Sequence, residues 1–318
     1  MASATTTSLS HFLIELGRWL RDSGYRFVTP TPLTHARVNA RDALEARNLR
    51  DIFGWSRPFK DSLLPAPALG WLEQAGLLDH ARGLLASKVR FSSLGDQLYA
   101  HSAYPTTDAD SVFFGPDTYR FASLIENEMA MQPLLPGARV LDIGCGAGPG
   151  GISAALATFG SPHLTLADIN PTALLFARAN VALAGMDGVD LLESDLFESV
   201  TGDFDLIVSN PPYLVDPAVR TYRHGGGALG SGLSERILQQ GMARLAPGGR
   251  LVLYTGAAIV EGADPFLQHV QMLLSADGWP FRYRELDPDV FGEELDTAAY
   301  ANVERIASVA LVVQRPGE

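Results

Sequence analysis

With 318 residues, 47% of them apolar and 19% charged, the chain is long enough for two cored domains and too apolar for generic disorder. Its 36 acidic and 24 basic residues give a formal charge of -12, which excludes binding to nucleic acid mainly by overall backbone attraction but leaves room for a local basic patch. A single cysteine, Cys145, excludes an internal disulfide and a multi-cysteine metal site. No basic-then-apolar leader is evident, and no apolar run reaches the roughly 18 residues of a membrane helix, so a cytoplasmic protein is expected.

A polar Ser/Thr run opens the chain and is expected to fray. Phe12, Leu16, Trp19 and Leu20 then recur near helical spacing over 11–23, with Gly24 as a stop. Pro30 and Pro32 interrupt the pattern. Further helices are predicted at 40–53 and 67–86. Leu94, Gly95 and Asp96 form a turn between 89–93 and 97–101, which predicts a hairpin. Residues 105–110 read as a loop. Helices followed by a hairpin is an order that winged-helix modules share with many other folds.

From residue 138 the pattern alternates. Strands are predicted at 138–142, 163–168, 189–192, 204–209 and 250–255, and two later ones near 281–286 and 306–314. Helices fall between them, to about 159, over 171–183, over 234–246 and over about 264–275. Asn170 and Pro171 suit a helix start, and Gly185 its stop. The expected fold is α/β, a Rossmann-like doubly wound sheet of about seven strands, mostly parallel, the last antiparallel and both faces covered. Residues 1–110 are expected to form a mainly helical domain with a short β-hairpin, and 111–318 the α/β domain. The acidity is uneven, with 11 basic and 22 acidic residues over 136–318.

Chemistry concentrates at the strand ends. Asp142, Gly144, Gly146 and Gly148 lie where the first strand of the sheet meets its helix. Glycine permits left-handed backbone and close ligand approach, and the same turn also serves tight packing of helix on strand. Asp142 inside the turn repels a pyrophosphate and suits a ligand ammonium. Asp168 ends the second strand, where a carboxylate can accept both hydroxyls of a ribose. Asp195 follows the third strand and suits an exocyclic amine of adenine, with Leu196 or Phe197 over the ring. Together these residues ask for a nucleoside carrying an ammonium and a carboxylate, not a dinucleotide.

The fourth strand ends in Ser209-Asn210-Pro211-Pro212-Tyr213. Two prolines stiffen the loop and keep their carbonyls. Asn210 adds an acceptor and a donor, and Tyr213 a ring face for a planar group. No strong base is present. The arrangement suits holding a planar amide or amine by its hydrogens while a methyl on a sulfonium is attacked in line, with orientation and electrostatics supplying the rate.

On these motifs, residues 112–314 resemble the class I S-adenosylmethionine-dependent methyltransferases. Within them they resemble the small methyltransferases with the Asn-Pro-Pro-Tyr signature, including the HemK/PrmC-type protein-glutamine N5-methyltransferases of release factors. The resemblance implies S-adenosyl-L-methionine as cofactor, bound by Asp142, Gly144, Gly146, Gly148, Asp168, Ile169, Asp195, Leu196 and Asn210. It implies Asn210, Pro211, Pro212 and Tyr213 as the catalytic loop. The segment from Phe113 to Tyr119 resembles the piece that covers the cofactor or lines the substrate channel, with Thr118 and Tyr119 as substrate residues; alternatively its aromatic residues only join the domains. The implied reaction is methylation of a protein glutamine amide. The alternatives are an adenine or guanine amino group in rRNA or tRNA, a small amine or amide, or a cofactor-binding interaction protein without catalysis. Residues 1–100 do not match the helical substrate domain of the release-factor enzymes.

Cys145 reads as a small residue of the turn, since the reaction needs no thiol nucleophile. The seven histidines show no metal-ligand spacing, and no metal or membrane partner is expected. Arg223 and His224, in a glycine-rich stretch after the catalytic loop, are expected on a mobile lip touching the substrate. Arg37, Arg41, Arg47, Arg50, Arg57 and Lys60 make 36–60 locally basic, interspersed with Asp42, Glu45 and Asp51. That stretch is either a solvated face or a docking face for a nucleic acid or an acidic protein. Residues 291–295 are expected as a loop facing either the first domain or solvent.

Overall fold

The computed structural model describes residues 2–41, 45–81, 83–275 and 278–317, and for residues 2–8 and 81 only the backbone. Asp42, placed by the sequence in the basic stretch, lies outside the described residues. The described chain divides into two compact units. One comprises Met1–Tyr119, Gly146–Pro149 and Pro171–Asp187, the other Arg120–Cys145, Gly150–Asn170 and Gly188–Glu318.

In the first unit, α1 (Ala2–Asp22) begins within the Ser/Thr run that was expected to fray. The stretch 40–53 does not form one helix. Instead α2 (Pro32–Asn39) is capped by the Thr31 side chain and α3 (Leu49–Phe53) by that of Asn48. The helix expected over 67–86 stops early. After α4 (Ala66–Gln74) come β1 (Leu78–Ala81) and β2 (Leu84–Ser87), an antiparallel pair. Gly76 and Gly83, at φ 66° and 78°, break the helix and make the turn. The predicted hairpin forms as β3 (Val89–Leu94) and β4 (Gln97–Ser102).

The second unit is a seven-stranded sheet. Along the chain from residue 116 come α5 (Pro116–Met131), β5 (Arg139–Ile143), α6 (Pro149–Leu156), β6 (His163–Asp168), α7 (Pro171–Leu183, which falls in the first unit), β7 (Asp190–Glu193) and β8 (Phe204–Ser209). Then follow α8 (Gly232–Met242), β9 (Leu245–Ile259), α9 (Pro265–Ser275), β10 (Phe281–Asp287) and β11 (Arg305–Gln314). Strand order is β10-β11-β9-β8-β5-β6-β7. Strands β7, β6, β5, β8 and β9 are parallel, and β11 runs antiparallel between β9 and β10. This is the doubly wound sheet the sequence predicts. Its core joins Leu141, Ile207, Leu253 and Leu311 of the strands to Ile237 and Leu238 of α8 and to Phe266 and Val270 of α9.

Helix α7 belongs to the first unit. Phe176 and Leu183 join Leu13, Leu16, Phe53 and Phe91 in one core. Gly17 lets α1 lie against it: a Cβ there would meet Leu183 Cδ1 at 2.6 Å. Asn180, 1% exposed, donates from Nδ2 to the carbonyls of Ala100 (3.0 Å) and Ala147 (2.8 Å), and its Oδ1 accepts from the Ala100 amide (2.7 Å). A buried amide satisfied three times fixes these segments together. Among the described residues no helix is long and apolar enough to cross a membrane.

Candidate active site

Strands β5, β6, β7 and β8 are parallel, so their carboxyl ends lie along one edge. The register places Ile143 beside Ala167 and Ser209, and Asp168 beside Glu193. The loops leaving those ends therefore start next to one another. They are the glycine turn after Ile143, Ile169 after Asp168, residues 194–196 after β7, and residues 210–213 after β8. The Ser209 hydroxyl donates to the Ile143 carbonyl at 2.7 Å and ties two of these ends together. The carboxyl edge of an open parallel sheet is where ligands bind.

Asp142 is 1% exposed, and its Oδ2 accepts from the Gly151 amide at 2.7 Å. Two glycines make room for it. A Cβ on Gly150 would lie 2.4 Å from Phe121 Cε1 and 3.0 Å from Asp142 Oδ2, and one on Gly151 would lie 2.4 Å from Leu166 Cδ2. Burial pushes the Asp142 carboxyl up to about 7; the Gly151 amide opposes this, and the Asp168 charge adds to it. No cation is among the groups that set this value. A buried carboxylate whose hydrogen-bond partner is a neutral amide fits a ligand ammonium.

Gly144, Gly146 and Gly148 all have left-handed backbone, at φ 66°, 53° and 84°. The Gly144 and Cys145 amides both donate to the Ala167 carbonyl, at 2.9 and 3.0 Å. Gly146 and Gly148 are assigned to the first unit. Burial, and then the charges of Asp168 and Asp142, push the Cys145 thiol up, which leaves it inert as a nucleophile.

Asp168 is 9% exposed, and its Oδ1 accepts from the Asn170 amide at 2.8 Å. Ile169 beside it is 50% exposed. Asp195 is partly exposed and stands 3.7 Å from an Arg236 nitrogen. Leu196 has a left-handed backbone at φ 48°, and its carbonyl accepts from the Ser194 hydroxyl at 2.8 Å. Phe197 is buried in the sheet core.

In the loop after β8, Asn210 and Pro212 are partly exposed, whereas Pro211 and Tyr213 are buried. The Tyr213 ring lies on Gly256 of β9, where a Cβ would meet Tyr213 Cδ2 at 2.2 Å. Tyr254 is tilted against it at 6.4 Å between centroids, and Phe291 meets it edge-on at 5.8 Å and 73°. Phe291 has φ 55° and ψ 41°, the left-handed region, which costs a non-glycine residue about 1 kcal/mol.

The stretch expected to be a mobile lip carries a set of hydrogen bonds and ion pairs. Asp216 accepts from Arg220 Nε at 2.9 Å and Nη2 at 2.7 Å, which holds its carboxyl well below the usual carboxylate range. The Asp216 amide donates to His224 Nδ1 at 3.2 Å. Arg223 pairs with Glu294, and the Val215 amide donates to the Tyr300 hydroxyl at 3.0 Å. A Cβ on Gly230 would lie 2.2 Å from the Tyr213 carbonyl oxygen, so the stretch packs on the loop 210–213. Within 291–295, Gly292 and Glu293 face solvent, one of the two settings expected, whereas Phe291 meets Tyr213 and Glu294 is buried against Arg223.

Thr118 and Tyr119 lie in the first unit. Thr118 Oγ1 accepts from the Gly115 amide at 3.2 Å, and the Tyr119 hydroxyl accepts from the Thr29 amide at 3.0 Å. Among the described residues no group of three metal-ligating side chains stands together. Gly151, Gly256 and Tyr300 escaped the sequence reading, and Phe291 and Glu294 were read only as part of a loop. Gly256, a glycine inside a strand pattern, was the legible signal, since it marks a close approach.

Comparison with known proteins fits this site. Residues 122–261 match the methyltransferase small domain family. The release factor glutamine methyltransferase of Deinococcus radiodurans is 35% identical over 160 residues, which is 46% of this chain and 55% of that protein. The ribosomal RNA small subunit methyltransferase C of Salmonella arizonae is 34% identical over 137 residues, 42% of this chain and 36% of that protein. The chain thus spans about a third to a half of these relatives. Trm5 of Methanocaldococcus jannaschii, solved in complex with adenosine, shares the fold at a TM-score of 0.50 and 14% identity, over 73% of this chain and 56% of that one.

Proposed function

We propose that this chain, whose residues 122–261 belong to the methyltransferase small domain family, moves a methyl group from S-adenosyl-L-methionine to a planar nitrogen held by the loop 210–213. One observation carries the reading. The register starts the glycine turn, the Asp168 loop and the Asn-Pro-Pro-Tyr loop side by side at one sheet edge.

When bound, the cofactor supplies an electrophilic methyl on a sulfonium sulfur. Asp142 receives its ammonium, the backbone of Gly144, Gly146 and Gly148 leaves room for its chain, and Asp168 accepts the ribose hydroxyls. Asp195 accepts from the adenine amine beside Ile169 and Leu196. Asn210 and the Pro211 carbonyl accept hydrogens of the acceptor nitrogen and orient its electron pair. Pro212 and Tyr213 close the slot. The nitrogen gains the methyl and loses a proton to solvent, so no strong base is required.

The favoured acceptor is a glutamine amide of a protein. Three of the six basic residues at 36–60 stand against two acids, Arg57 (3.3 Å) and Arg47 (3.7 Å) sharing Asp51 and Lys60 facing Glu45 (3.0 Å). That pairing reduces, without cancelling, the cationic field this stretch offers a nucleic-acid backbone. In this reading 1–110 recognise the acceptor in the cytoplasm. A second reading, an amino group of a ribosomal RNA base, is favoured by the exposure of Arg37, Arg41 and Arg50 on that stretch.

Transfer of labelled methyl from S-adenosyl-L-methionine into lysate, with ribonuclease or protease, tests this. Label lost with protease and located on glutamine supports the first reading. Label lost with ribonuclease selects the second, and no label in any fraction sinks both.

A further inference from the structure

The Tyr213 ring meets Gly256, Tyr254 and Phe291. Gly256 and Tyr254 belong to β9 and are buried, so they form a floor. Phe291 is the partly exposed one of the three and meets the buried ring edge-on. With Asn210 and Pro212 it supplies the partly exposed side chains around the acceptor loop.

Its backbone makes this placement unusual. Phe291 takes the left-handed conformation, although the next residue, Gly292, would adopt it without strain. The segment around it is anchored. The Val290 amide donates to Ile306, the Phe291 carbonyl accepts from the Glu294 amide at 2.9 Å, and Glu294 pairs with Arg223. Strain of this kind persists where the surroundings enforce it, and it concentrates at functional sites.

We propose that Phe291 is a positioning residue for the acceptor: it fixes the Tyr213 ring by this edge-on contact and so sets the plane in which the methylated nitrogen is presented. The proposal rests on the methyltransferase reading for its assay, but its structural part stands without it. A loose ring raises the acceptor KM and lowers kcat, because a planar group then samples misaligned poses. It leaves the cofactor side untouched.

Glycine is the informative substitution. F291G removes the ring and relieves the backbone, so the fold keeps its melting temperature within a few degrees. The expected result is an acceptor kcat/KM lowered about tenfold or more with cofactor Kd within about twofold, and F291Y restoring most of the loss. Whichever polymer the wild type labels serves as acceptor, so a wrong acceptor class shows in the wild type and not in the variant. Nitration of Tyr213 by tetranitromethane, followed by mass spectrometry, needs no activity. It accelerates several-fold in F291G and stays slow in F291Y. An unchanged nitration rate overturns the proposal, as does wild-type kcat/KM in F291G or a parallel loss of cofactor affinity.

Discussion

The carboxylate of Asp142 and the amide of Gly151 meet at 2.7 Å beneath the glycine turn, nine residues apart in sequence and joined across the start of α6. The bond holds a buried acid that ionises near neutrality. Its folded value, about 7, lies above the ordinary aspartate value of 3.8, so the unliganded fold binds a proton that the unfolded chain releases. The stability contributed by this group is therefore full below about pH 4 and declines as pH rises to about 7. A cofactor ammonium reverses the preference. Cofactor affinity is expected to rise between about pH 6 and pH 8 with uptake of the cation by the ionised form, and D142N is expected to flatten that rise. Calorimetric titration across this range decides it, and a pH-independent Kd in the wild type removes Asp142 from the ammonium site.

Asp168→Ala is expected to weaken cofactor binding about tenfold or more, by loss of two charge-assisted hydrogen bonds. Its Oδ1 already caps the Asn170 amide, so D168N keeps that bond and separates folding from binding. An affinity within about twofold of the wild type contradicts the assignment.

Asn210→Ala leaves Asp142, Asp168 and Asp195 in place and removes the side chain proposed to orient the acceptor nitrogen. Turnover is expected to fall about a hundredfold or more while cofactor Kd changes little. Single-turnover transfer from bound labelled cofactor measures the step directly. Near-normal turnover ends the amide-positioning mechanism.

Gly256→Ala tests the floor of the slot. Its Cβ would lie 2.2 Å from Tyr213, a ring held on other sides by Tyr254 and Phe291. Either Tyr213 or β9 must move. Turnover is expected to drop with cofactor binding retained, and a crystal structure of the variant reports which of the two shifted.

Gly17→Val probes a different contact, that of α1 on α7. The added atoms meet Leu183 at under 3 Å, and the expected destabilisation is about 1–3 kcal/mol, read by denaturant unfolding. Gly17→Ala is milder, because the gain in helix propensity of about 1 kcal/mol offsets part of the crowding.

Strands of the parallel sheet were legible because each is a short apolar run bounded by polar or turn residues. The run 163–168 and the helix after Asn170 read directly into β6 and α7. The stretch 76–87 misled because its leucines and alanines repeat at helical spacing. The backbone follows Gly76 and Gly83 instead, and the antiparallel pairing of β1 with β2 outweighs propensity there. The start of α5 had its own signal, Pro116 followed by Asp117, hidden within an aromatic segment read as a cover. The acids and the Asn-Pro-Pro-Tyr loop could be placed at strand ends because each closes or follows a short apolar run. Phe291 was not, since nothing local marks a phenylalanine as left-handed when a glycine follows it. Its role depends on Tyr213, 78 positions away in sequence.

The polypeptide is interleaved, and this limits how it can be re-engineered. Helix α7 leaves the sheet's alternation to complete the core of the first unit, bringing Phe176, Leu183 and the triply bonded Asn180. A chimaera that transplants 1–119 alone would discard that helix and expose the leucine and phenylalanine face it covers. A working graft must carry 171–187 with it, so this unit is inherited as a discontinuous cassette and not as a detachable leader.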